Sequence, residues 1–83
     1  MTIREATRQM LWEIKAKKIE ENNYGHVKDK DIALALNLTA ASYSRISTGV
    51  TTPHIITWGR LCKMHSLVCG TNKTQEILNK IEY

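Results

Sequence analysis

Phenylalanine is absent from this chain, proline occurs once, and there are only two cysteines and four glycines. Each shortage excludes something. Two cysteines, Cys62 and Cys69, are too few for the disulfide framework that staples small secreted domains, so a reduced, cytoplasmic chain is expected. No apolar run approaches the roughly 20 residues that span a bilayer, and no signal-peptide pattern opens the chain, so no membrane association is expected. Repeats, low-complexity tracts and linkers are also missing, and residues 1–83 read as a single domain near the lower size limit for folding without staples. There is no nucleophile elbow, phosphate-binding glycine loop or paired-carboxylate motif. Neither an enzyme nor a small-molecule ligand or cofactor is expected.

Apolar residues make up 42% of the chain, enough for a compact core, with tyrosine and tryptophan supplying the large volumes. Twelve Lys and Arg stand against eight Asp and Glu, a formal +4. That excess is compatible with a polyanionic partner without demanding one.

Thr2-Ile3-Arg4-Glu5 is a capping-box pattern, so a first helix can start at once and run to Glu21. At 100° per residue, Ile3, Ala6, Thr7, Met10, Leu11 and Ile14 share its inner face. Trp12 and Ile19 fall opposite. Either Ile19 turns coreward while Trp12 half-covers a neighbouring loop, or the two form a second apolar face for a partner subunit. Asn22 to Gly25 stop this helix, and Asp29 or Lys28 occupies the place before the next one, Asp29 being chemically the better N-cap.

Residues 31–53, D-I-A-L-A-L-N-L-T-A-A-S-Y-S-R-I-S-T-G-V-T-T-P, have the demands of two short helices joined by a tight turn. Ile32, Leu36 and Leu38 anchor the first part, and Tyr43 and Ile46 the second. Asn37 falls where a left-handed residue is wanted, and Thr39 follows as an N-cap. Ala33 is small where two crossed helices must come close. Gly49 ends the second helix and Pro53 lies just beyond.

These residues resemble the lambda-repressor-like (Cro/XRE-type) helix-turn-helix family. The likeness is carried by I-A-x-x-L-N-L-T and S-Y-S-R-I-x-x-G-x-x-x-P, and more loosely by I-I-T-W-G-R-L-C-K-M-H-S-L. The resemblance implies an all-α, compact five-helix domain with its helix-turn-helix at about 30–48, and a helix 39–48 that reads the major groove of double-stranded DNA. It maps base-reading positions onto Ala40, Ala41, Ser44 and Arg45, and backbone contacts onto Thr39, Ser42 and Thr48, with Thr51 and Thr52 beside them. Arg45 is the residue able to bond guanine O6 and N7 together. Two positions depart from the family pattern. Asp29 stands near a usual glutamine that reaches a phosphate, leaving that contact to Lys28 or Lys30. Ala40 and Ala41 replace common polar side chains, so specificity would lean on Arg45, Ser44 and DNA shape. The implied function is a small phage or mobile-element repressor in a bacterial or phage-infected cell. The rival is a helix-turn-helix used as a protein-interaction module, antitoxin-like or regulator-blocking.

The sequence places a fourth helix from about His54, with Ile55, Trp58, Leu61, Cys62 and His65 inward and Gly59 at a close approach. Ser66 to Gly70 read as a turn, with Leu67 and Val68 sealing the core. Asn72 then caps a last helix, aided by Gln75, with Ile77, Leu78 and Ile81 as its stripe. A homodimer is expected, built on Ile77, Leu78 or Ile81 in preference to Trp12 and Ile19. Cys62-x-x-His65-x-x-x-Cys69 has suitable zinc ligands but no second knuckle, so no metal is expected.

Overall fold

A computed structural model describes residues 1–21 and 28–82, and the expected helix stop at Asn22 to Gly25 lies outside them. Among the described residues the chain forms five helices and no strand: α1 (Ile3–Glu21), α2 (Asp29–Ala35), α3 (Ala40–Ser47), α4 (Ile55–Cys69) and α5 (Thr71–Lys80). The all-α reading holds. None of these helices is long and apolar enough to cross a membrane.

The capping box starts α1 as expected. The Glu5 amide donates to Thr2 Oγ1 and the Thr2 amide to Glu5 Oε1, both at 3.2 Å. The bond from the Thr2 amide, and after it the Thr2 side chain, hold the Glu5 carboxyl below its ordinary value. Ala6, Thr7, Met10, Leu11 and Ile14 are buried along the inner face. Thr7 tolerates burial because its hydroxyl donates to the Ile3 carbonyl at 2.7 Å.

Helix α1 packs along α4, and also meets α3 and α5, while α2 meets α3. Met10, Ile14, Ile32, Leu36 and Leu61 form the most deeply buried centre. Ile19 is half-buried against this core, so it turns coreward as one of the two readings required. Trp12 is 71% exposed, so it is not half-covered by a loop among the described residues.

The corner between α2 and α3 closes as the sequence asks. Asn37 takes φ 58°, and a paired C-cap forms behind it: Leu38 N donates to the Ala33 carbonyl and Asn37 N to the Leu34 carbonyl. The same geometry ends α3, where Gly49 has φ 81° and Val50 N donates to the Arg45 carbonyl. Ala33 is 3% exposed, in keeping with a close crossing.

Four expectations about the C-terminal half are corrected. Ile55 is 77% exposed; three- and four-residue steps back from Leu61 reach Trp58 and Thr57, and Thr57 is the buried residue there. Gly59 is exposed, and a Cβ built on it meets no other element within 4 Å, so it marks no approach among the described residues. Ser66 to Cys69 continue α4 instead of turning, which carries Leu67 outward on the Lys63 side, 77% exposed. Val68 remains half-buried. The break comes at Gly70, φ 103°, and α5 follows immediately. Asn72 therefore lies inside the first turn and caps nothing, while Gln75 bonds Asn79 at 3.1 Å.

The stripe on α5 is mostly taken up by the core. Ile77 and Ile81 are 3% and 7% exposed and belong to the core, and Leu78 is half-buried against it. A ten-residue helix needs that burial to persist at all, so little of this stripe is left for a second subunit.

Candidate nucleic-acid interface

Helix α3 is two turns long and holds its position through its ends and one buried face. Thr39 Oγ1 accepts the Ser42 amide at 3.1 Å, as an N-cap should. Tyr43 and Ile46 face the core. That leaves Ala40, Ala41, Ser44, Arg45 and Thr48 exposed on the outer face, so the resemblance-mapped positions share one surface.

Hydrogen bonding within the chain sorts these side chains by what they have left to offer. The Thr39 hydroxyl donates to Ser42 Oγ at 3.1 Å, so the Ser42 hydrogen stays available. Thr48 directs its hydroxyl to the Ser44 carbonyl at 2.7 Å, which occupies its donor. Ser44, Thr51 and Thr52 form no side-chain hydrogen bond among the described residues, and Arg45 has no ion-pair partner there. Arg45 borders a 190 Å³ groove with Ser42, Thr51, Thr52, Pro53 and His54. Its guanidinium carries five fixed donors with no acceptor among the described residues. A cation in the last turn of a short helix also suits the helix dipole, a local role that does not consume those donors. Ala40 and Ala41 offer methyl groups only.

The start of α2 takes the chemically weaker of its two candidate caps. Lys28, not Asp29, occupies the N-cap position and makes no side-chain cap. Asp29 Oδ1 instead accepts from Lys15 Nζ at 2.9 Å and from the Tyr43 hydroxyl at 3.4 Å. This ties α1, α2 and α3 together at one carboxylate. Burial, then the Asp29 charge, pushes the Tyr43 phenol up to about 12. With Lys15 compensating Asp29, the exposed Lys28 and Lys30 are left as the cations at this end of the corner. Between α2 and α3 lies a 390 Å³ groove reached by Lys30, Ala40, Ser44 and Thr48.

A second polar cluster, which periodicity had assigned only to the core, joins α1, α4 and α5. His65 is fully buried, with Nε2 2.9 Å from Glu13 Oε1 and Nδ1 2.6 Å from Thr74 Oγ1. Burial pushes the Glu13 carboxyl up, but hydrogen bonds from His65 and Gln9 outweigh it and leave the group below its ordinary value. An ionised carboxylate only accepts, so Nε2 must donate to it. His, Thr and a carboxylate in a row have the outline of a catalytic triad. Thr74 is 6% exposed and His65 not at all, so neither meets a substrate from solvent, and the row acts as a tie. His65 engaged on both nitrogens is also removed as a zinc ligand, and no group of three His, Cys, Asp or Glu among the described residues could hold a metal. Cys62 and Cys69 are free, and burial raises both thiols.

The sequence carried one readable signal for this tie: a histidine at an inward-facing position of an apolar helix needs polar partners. It did not say which. Comparison with protein-family models, curated proteins and solved structures finds no match for this chain.

Proposed function

We propose that this chain binds double-stranded DNA sequence-specifically and regulates transcription, as a small repressor of the phage or mobile-element kind, with α3 in the major groove. The observation that carries this reading is Arg45, exposed and without an ion pair among the described residues, on a helix fixed by caps at both ends. Ser44 adds a free hydroxyl beside it. Lys28 and Lys30 on one side, with Thr51 and Thr52 on the other, suit phosphates flanking a groove. No cofactor enters this reading.

A second reading is favoured by Leu34, which is 66% exposed on α2. An apolar side chain there gains nothing from a phosphate backbone and suits a protein surface. A gel-shift assay on random duplex at two salt concentrations separates the two. Binding that weakens steeply with salt, with a slope near −0.9 for each phosphate neutralised, supports DNA. No binding at low salt supports the protein-interaction module.

A further inference from the structure

Trp12 stands at the middle of α1, 71% exposed, with a concavity on each side. One groove of 580 Å³ runs between α1 and α3, bounded by Arg8, Lys15, Tyr43 and Ser47. The other, of 300 Å³, runs towards α5 over Ala16, Lys17, Glu20, Cys69 and Lys73. A projection and a recess on one surface are what a two-fold contact requires, because each copy must supply both.

We propose that the α1 face centred on Trp12 and Ala16 is the contact between two copies of this chain, in antiparallel pairing. Ala16 lies one helical turn beyond Trp12, is exposed, and leaves room beside it. With the two-fold axis at the level of Ile14, midway between them, Trp12 of each chain stands level with Ala16 of the other. The same axis brings Arg8 level with Glu20, which are opposite in charge. Beside the seam, Lys15 is paired with Asp29 and Glu13 is hydrogen-bonded to His65 within each chain, both at 2.9 Å.

The competing surfaces fare worse. The outward face of α4 exposes Ile55, Ile56 and Leu67, but its only charges there are Arg60 and Lys63, and α4 contains no acidic residue, so two copies would repel. The α5 stripe is spent on the core. A single tryptophan-centred contact is small, which sets half-association at about 10–100 µM.

Sedimentation equilibrium without DNA, from about 10 µM to about 1 mM, tests this independently of the DNA reading. Trp12→Ala and Ala16→Arg are each expected to weaken self-association at least about tenfold. Leu67→Lys and Leu78→Lys are expected to leave it unchanged. In a Trp58→Tyr background, Trp12 emission should shift to the blue as concentration rises. Because Trp12 and Ala16 are exposed, both variants should keep their circular dichroism, and Ala16→Arg serves if Trp12→Ala does not fold. A wild type monomeric at about 1 mM overturns the proposal, as does a dimer indifferent to both α1 substitutions.

Discussion

Glu13 Oε1 lies 2.9 Å from His65 Nε2, joining α1 to α4 across 52 positions of sequence and placing an ion pair's geometry at the edge of the core. The Glu13 carboxyl sits below its ordinary value of 4.5. A carboxyl depressed by folding contributes stability above that pH and loses it as pH falls through the depressed value. Glu13→Gln, which keeps an acceptor but not the charge, should cost about 1 kcal/mol at neutral pH. Thermal melts of both proteins from neutral pH down to about pH 3 check this, and the two melting temperatures should converge at the acid end. A gap that persists there would mean that charge is not what Glu13 contributes.

At the alkaline end the corresponding group is Tyr43, held up to about 12 by burial and by Asp29. A raised phenol leaves stability intact below its ordinary value of 10 and loses it as pH rises through the folded value. Asp29→Asn removes the charge contribution, so ultraviolet titration should show Tyr43 ionising at lower pH than in the wild type. An unmoved Tyr43 would assign the shift to burial alone.

Two glycines should respond oppositely to alanine. Gly59 is helical and exposed with open space around a Cβ, so Gly59→Ala should stabilise by about 0.5–1 kcal/mol. Gly49 has φ 81° and would bring a Cβ to 3.3 Å from Arg8 Cδ, so Gly49→Ala should destabilise by about 1 kcal/mol. Denaturant midpoints measure both, and equal signs would contradict this placement of the two backbones.

Ala33 is 3% exposed beneath α3, and Ala33→Leu overpacks that crossing. The expected cost is about 1–3 kcal/mol. An Ala33→Leu protein that melts at or above the wild-type temperature would remove Ala33 from the crossing.

What the chain made legible was local. Thr2 with Glu5, Asn37, Thr39 and Gly49 announce helix ends through their own backbone and side-chain chemistry, and the structure has each in that role. What failed was decided by contacts distant in sequence. Asp29 looked like an N-cap because nothing local reveals Lys15 and Tyr43 waiting for its carboxylate. Leu67 looked buried because apolar character does not report that α4 continues past Ser66 and rotates it outward. Ile77, Leu78 and Ile81 form one stripe in the sequence, and only the assembled core shows that Ile77 and Ile81 are the ones it takes. At the candidate DNA surface, the exposed face of α3 followed from the periodicity of Tyr43 and Ile46. The withdrawal of the Thr48 hydroxyl into its own helix did not.

The most direct measurement is selection of bound sites from a random duplex library, followed by the affinity of Arg45→Ala for the enriched site. The expected result is a recovered motif containing guanine and a loss of about 5- to 150-fold in the variant, the span of one bidentate arginine contact. Circular dichroism should stay unchanged, since Arg45 is exposed. No enriched sequence, or a folded Arg45→Ala protein that binds the site as tightly as the wild type, would contradict the assignment of α3 to the groove.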